Sequence, residues 1–221
     1  MSTTTTNYLD IIERLPAGAL LRLQNVSWDD YDFLLTQMES HHPGHRLSYD
    51  CGRLDIMSPK REHEFYKKFM GRIVDVIGEE YGLEIEPVGS TTLKLKSLAK
   101  GVEPDESFYV QNAPRVIGRL ELNLNTDPPP DVVVEIDMTN ESLDKFAIYA
   151  ALGVPEIWRY DGRHTHFYKL VDEAYEVTQN SLAFPSIIAQ DLTQYLEQSK
   201  SEGQKAALNA FRRMLRSRAP S

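Results

Sequence analysis

The sequence has a single cysteine, Cys51, among 221 residues. No intrachain disulfide can form, and a zinc site built from cysteines is excluded. No stretch approaches the roughly 18 consecutive apolar residues of a membrane-spanning helix. The first 23 residues lack the basic end and apolar run of a secretory signal, so a cytoplasmic protein with no membrane partner is expected. A surplus of positive charge is also missing: 24 Lys and Arg against 33 Asp and Glu give a formal net charge of −9. That counts against a nonspecific nucleic-acid coat protein, since phosphate binding rewards a basic surface. It leaves room for an enzyme whose carboxylates gather at one site. Glycine-rich phosphate loops of the GxxxxGK[ST] or GxGxxG type are absent, as is a GxSxG nucleophile elbow.

What is present is ordinary globular material. Apolar residues make up 41% and charged residues 26%, enough for one α/β domain with additions. Residues 1–7 are Thr-rich and polar and read as a loose tail. Ser27 reads as the cap of a helix with Asp29 and Asp30 in its first turn, and His41-His42-Pro43-Gly44 ends it. Residues 46–50 and 53–57 read as a hairpin around Cys51-Gly52. A long helix follows to Tyr81, with Phe65, Phe69, Ile73, Val76 and Ile77 at helical spacing and Gly82 closing it. Strands are expected at 83–88, 91–96 and 102–110, with a small one at 119–122. The run Asp131 to Asp137 is the most apolar strand and therefore central. A helix at 141–152, three strands at 156–160, 164–170 and 174–178, and a helical end from 186 to 218 complete the pattern. This predicts a mixed central sheet flanked by helices. The chain divides into a tail (1–20), a domain (21–200) and a basic helical tail (201–221).

The chemistry centres on the strand Asp131-Val132-Val133-Val134-Glu135-Ile136-Asp137. Side chains alternate across a strand, so Val132, Val134 and Ile136 share one face while Val133, Glu135 and Asp137 share the other. Carboxylates on such an apolar strand must be ion-paired, protonated, metal-bound or at a solvated strand end. Thirty positions earlier, Asp105 lies in another strand-like run. Asp105 and Glu135 on neighbouring strands would supply two hard oxygen ligands, which suits Mg²⁺ (or Mn²⁺) with the remaining positions taken by water, and the backbone carbonyl of Ile136 offers a third oxygen. Lys60, Arg61, Lys67 and Lys68 form one basic cluster, and Lys94, Lys96 and Lys100 another. Either could meet phosphate or simply be a solvated face. His41, His42 and His45 lack acidic or cysteine partners at metal-like spacing, and His164 and His166 share a strand face, where outward-facing histidines are common.

Pro104-Asp105 followed by Glu135-Ile136-Asp137 resembles the PD-(D/E)XK motif of the restriction-endonuclease-like fold. Three longer stretches resemble the Uma-two family of that superfamily: Pro104 to Tyr109, Pro130 to Ile136, and Asp144 to Tyr149 followed by Gly153 to Trp158. The likeness covers roughly residues 20 to 200. It implies that Asp105 and Glu135 bind a divalent metal that serves DNA phosphodiester hydrolysis by a metal-activated water. The motif's lysine is replaced here by Asp137, and the family's lysine matches Lys145 on the following helix. Helical side chains lean toward the N-terminus, so Lys145 can reach back to the strand end. Otherwise it is a surface residue paired with Glu141. Asp137 is a further ligand, a partner of Lys145 or a second-layer acceptor. The resemblance also favours His63 as a member of the site. A duplex-cutting enzyme needs two sites, so a homodimer is attractive. The alternatives are a non-catalytic module that kept the nuclease fold and binds nucleic acid or protein, and a hydrolase of another phosphate ester.

Overall fold

A computed structural model describes residues 3–41, 44–138 and 145–218. His42, Pro43, Glu141 and Asp144 lie outside the described residues, as does the expected start of the helix at 141.

Two sheets form the framework. The smaller is antiparallel and contains β1 (Leu20–Leu23), β2 (Arg46–Asp50), β3 (Arg53–Met57), β5 (Leu93–Leu95) and β6 (Lys100–Val102), in the order β1-β3-β2-β6-β5. The larger contains β4 (Glu86–Pro87), β7 (Glu106–Tyr109), β8 (Val132–Ile136), β9 (Glu156–Tyr160), β10 (Thr165–Val171) and β11 (Ala174–Thr178), in the order β11-β10-β9-β8-β7-β4. Only β8 and β9 run parallel in it, with Glu135 opposite Arg159. The helices are α1 (Thr3–Ile12), α2 (Trp28–His41), α3 (Arg61–Tyr81), the short α4 (Ala113–Val116), α5 (Phe146–Ala151), α6 (Ala189–Glu202) and α7 (Gln204–Arg218). The mixed α/β class expected from the sequence is present. No helix among the described residues is long and apolar enough to cross a membrane.

Local signals explain much of this. The β2–β3 turn takes two residues, Cys51 at φ 48 and Gly52 at φ 96, the twist that a two-residue hairpin requires. The Asp30 N–H donates to Ser27 Oγ at 3.1 Å, capping α2, and Gly82 at φ 61 closes α3. Gly101 on β6 is required by packing: a Cβ there would meet the Tyr31 hydroxyl at 2.1 Å.

The core has distinct faces. Val132, Val134 and Ile136 pack with Phe69, Ile73 and Ile77 of α3, with Leu192 and Leu196 of α6, and with Phe211 and Leu215 of α7. On the opposite face, Val133 and Ile157 pack with Ile148 and Tyr149 of α5 and with Leu93 and Val102 of the smaller sheet. The alternation read from residues 131–137 therefore holds, and its second face joins the two sheets. A third cluster seats α1 and α2 on the small sheet through Ile12, Tyr31, Leu34 and Tyr49.

Several expectations are corrected. Residues 102–110 are not one strand: β6 ends at Val102 in the small sheet and β7 begins at Glu106 in the large one. Pro104, which cannot donate to a ladder, lies in the crossing. The strands expected at 83–88 and 91–96 shrink to β4 and β5, and residues 119–122 form no strand. The polar start is helical from Thr3, and Ile12 of that helix is fully buried. The C-terminal helical stretch is two helices bent at Gly203, φ 85.

Three arginines of α7 pair with carboxylates of the chain. Arg212 bonds Glu79 and Glu80, Arg216 bonds Glu80, and Arg218 bonds Asp191. Its apolar face supplies Phe211 to the core with no exposed surface. Phe211→Ala is expected to lower unfolding free energy by about 3–5 kcal/mol. Urea denaturation followed by circular dichroism measures it, and a loss below about 1 kcal/mol would mean that α7 is not part of the folded core.

Candidate active site

The chain crosses from β6 to β7 through Glu103-Pro104-Asp105, and this crossing brings Asp105 to the end of β8. The Asp105 N–H donates to the Val134 carbonyl at 3.2 Å, and the Ile136 N–H donates to Asp105 Oδ2 at 2.7 Å. The carboxylate thus replaces the next rung of the β7–β8 ladder. Glu103 ties the crossing to the small sheet by accepting the Leu47 N–H at 2.7 Å and the Thr92 hydroxyl at 3.0 Å.

Around Asp105 the structure gathers five of the six residues singled out from the sequence, with the sixth, Asp137, just beyond. His63, on the first turn of α3, places Nε2 2.9 Å from Asp105 Oδ2. This is ion-pair distance, but the ring N–H is not aligned for a hydrogen bond, and both ring nitrogens are buried without hydrogen-bond partners. Lys145, at the start of α5, donates through Nζ to Glu135 Oε2 at 2.8 Å and Oε1 at 3.1 Å. Glu135 Oε1 also accepts a short hydrogen bond from the Tyr149 hydroxyl. Ile136 lies between the two carboxylates, held through its N–H to Asp105 and opening with Glu135, Asp137, His63 and Lys145 onto a cavity of about 300 Å³.

Asp137 corrects one expectation. It does not pair with Lys145; it accepts from Arg159 Nε at 2.8 Å. The parallel register sets Arg159 opposite Glu135 and on the same face, so its guanidinium reaches the next carboxylate along β8. Asp137 remains a wall of the cavity.

Three participants escaped the sequence reading. Tyr149 had a signal, since it lies four residues after Lys145 and shares its helix face. Arg159 becomes visible only once β8 and β9 are paired. Arg46, on β2, brings Nε to 4.0 Å from Asp105 Oδ1 across the sheet junction, which no local pattern indicates. His166 stands elsewhere, its Nε2 3.4 Å from Asp161 at the far hairpin. The second basic cluster is internally paired, Lys94 with Asp32, Lys96 with Asp29 and Lys100 with Asp50.

Electrostatics separates the two central carboxyls. Burial alone would raise Asp105, but His63, Lys145 and the Ile136 N–H favour its ionised form and hold it below the usual range. Burial dominates at Glu135 and pushes it up to about 7, with the Asp105 charge adding to the rise while Lys145 and Tyr149 oppose it. Burial would lower Lys145, yet the charges of Glu135 and Asp105 keep it above its ordinary value. Two carboxyls one sheet rung apart therefore prefer different protonation states.

The donor set can be weighed for a divalent cation. Among the described residues, no three His, Cys, Asp or Glu side chains form a cage. Asp105 Oδ1 is nevertheless buried with no hydrogen-bond donor. A buried acidic oxygen without a donor is costly; Arg46 offsets its charge from 4.0 Å, and the neighbouring Glu135, which lines the cavity, adds the second hard oxygen that a divalent cation keeping most of its waters would use.

Residues 28–200 match a family model described as "Uma2: Putative restriction endonuclease". Among solved structures, a protein from Anabaena variabilis titled "a putative nuclease belonging to DUF820" is similar at 15% identity. The match covers 68% of this chain and 90% of that one, with a TM-score of 0.48. No curated protein matches.

The raised Glu135 carboxyl has a stability consequence. Between its ordinary value of 4.5 and about 7, the folded chain holds a proton there that the unfolded chain has released. This contribution is thus complete below pH 4.5 and declines as pH rises through about 7. Its full span is roughly 3 kcal/mol. Asp105 acts oppositely, since its stabilisation is present above 3.8 and is lost as pH falls through its lowered value. Denaturation from pH 5 to 8 should show wild type losing stability relative to Glu135→Gln, and parallel curves for the two proteins would rule out a raised Glu135.

Proposed function

Because the chain belongs to the Uma2 family, described as putative restriction endonucleases, we propose that it is a metal-dependent endonuclease that hydrolyses DNA phosphodiester bonds at the cavity beside Asp105 and Glu135. The observation that carries this reading is the contact of Lys145 Nζ with both Glu135 oxygens. The motif's ammonium group is absent from position 137, yet an ammonium stands at the acidic centre, supplied by α5. This supports catalysis over a module that only kept the fold.

Asp105 and Glu135 would hold Mg²⁺ or Mn²⁺, with the Ile136 carbonyl as a further oxygen. When bound, such a cation polarises a phosphoryl oxygen and lowers the pKa of a coordinated water. The chain's own groups do the rest. His63 and the Ile136 N–H hold Asp105 through Oδ2, so that Oδ1 is the oxygen left for a cation. Tyr149 orients Glu135 from the α5 side. Lys145 carries the positive charge that offsets charge developing on the phosphate, and it is placed to orient the attacking water. Arg159 holds Asp137 away from Lys145, which leaves the ammonium free to serve Glu135 and substrate. The low-dielectric surroundings strengthen each of these contacts.

Asp105→Ala and Glu135→Ala are expected to abolish Mg²⁺-dependent cleavage of a DNA panel without unfolding the protein. Lys145→Ala should cost about 10²–10³-fold in kcat. Calorimetric titration with Mn²⁺ should show one site in wild type and none in Asp105→Ala. Cleavage that survives Asp105→Ala, or a wild type inert toward every DNA with both metals, would refute the assignment.

A further inference from the structure

On β2 the apolar residues Leu47 and Tyr49 pack into the core beneath the smaller sheet. Arg46 stands on the other face with Ser48 and Asp50, both partly exposed. It is nonetheless only 8% exposed itself. An arginine cannot shed its proton, so this burial sets a permanent positive charge inside the protein, and such a charge needs compensation.

The compensation acts largely through space. Nη1 donates to the His45 carbonyl at 3.0 Å, but Nε is buried with no hydrogen-bond partner among the described residues. Nε faces Asp105 Oδ1 at 4.0 Å, and Nη2 stands 4.0 Å from Glu64 Oε1. Asp105 Oδ1 likewise has no donor. Two buried opposite charges thus face each other across a gap too wide for a hydrogen bond. The guanidinium also acts on the crossing either side of Asp105. Burial raises the carboxyls of Glu103 and Glu106, and Arg46 opposes the rise at both. Without Arg46, the carboxyl groups of Glu64, Glu103, Asp105 and Glu106 would lose the one cation common to them.

The same geometry sets up a contest. Oδ1 is the oxygen left for a divalent ion, and a guanidinium already stands against it. Like charges in a low-dielectric interior repel strongly, so a metal ion that takes Oδ1 does so against Arg46. Resting on the reading that Asp105 and Glu135 hold the cation, we propose that Arg46 is a positioning residue that neutralises Asp105 in the metal-free fold and weakens the hold of the acidic centre on a divalent cation. The smaller sheet thereby sets the metal affinity of a site built on the larger one. Because the 4.0 Å contacts act through space, charge rather than shape is the property that matters at position 46.

The test is calorimetric titration of the full chain with Mn²⁺, beside thermal melts with and without the metal. Arg46→Met keeps an apolar stem and removes the charge. It should bind Mn²⁺ about tenfold tighter than wild type or more, melt lower than wild type without metal, and gain more on Mn²⁺ addition. Arg46→Lys keeps the charge and should bind within about threefold of wild type. A merely structural arginine would lower the melting temperature in both variants without tightening Mn²⁺ binding. That result, or a gain in affinity shared by Arg46→Lys, overturns the proposal and leaves the metal site standing. If Arg46→Met is unfolded without metal, Mn²⁺ should restore the wild-type circular-dichroism spectrum, and failure to restore it also overturns the proposal. Binding by Arg46→Met where wild type shows none upholds the role of Arg46 and overturns the reading of the wild type as a metal-dependent nuclease. No binding by either overturns both.

Discussion

The acidic centre depends on one substitution within the backbone ladder: at the end of β8 the Ile136 N–H is satisfied by the Asp105 carboxylate rather than by a neighbouring strand's carbonyl. That bond anchors the aspartate to a strand buried along its whole length and leaves its other oxygen out of the ladder. An unpaired carboxylate would be intolerable there without compensation. The compensation comes from separate elements: His63 from α3, Lys145 from α5 and Arg46 from the smaller sheet. The need to satisfy this buried charge therefore links the two sheets and the helices on both faces.

The same crossing explains why there are two sheets. Glu103 and Asp105 flank a buried proline, and each carboxylate accepts a backbone N–H, from Leu47 and Ile136 respectively. One stitches the crossing to the antiparallel sheet and the other to the mixed sheet. Val102 and Leu93 then join Val133, Ile148 and Ile157 in a shared core. The site lies at the carboxyl end of β8, which runs parallel to β9, the end at which ligands bind in open α/β sheets. Chemistry and architecture meet there because the β8–α5–β9 connection returns Lys145 and Tyr149 to the strand end that carries Glu135.

Periodicity and punctuation made many elements legible. The hairpin around Cys51-Gly52, the long helix closed by Gly82, the central strand and the three strands after it follow from turn chemistry and apolar alternation. The crossing at 103–105 was hidden because alternation continues through Pro104 as though the strand were unbroken, and pattern along the chain carries no information about which sheet a residue joins. The helix at the polar start was hidden for a related reason: its sequence has weak intrinsic preference, and it is fixed by packing of residues such as Ile12.

The sequence by itself determined the residue types at the centre, the faces on which Glu135 and Asp137 stand, and the family to which the chain belongs, because strand alternation and motif spacing are local properties. Only the tertiary structure decided how those charges are shared. Strand register assigned Arg159 to Asp137 and so released Lys145 for Glu135, and sheet packing brought Arg46 to Asp105 from 59 positions away along the chain. Coulomb attraction between buried groups depends on distance in space and on the surrounding dielectric, and neither is written in the order of the residues.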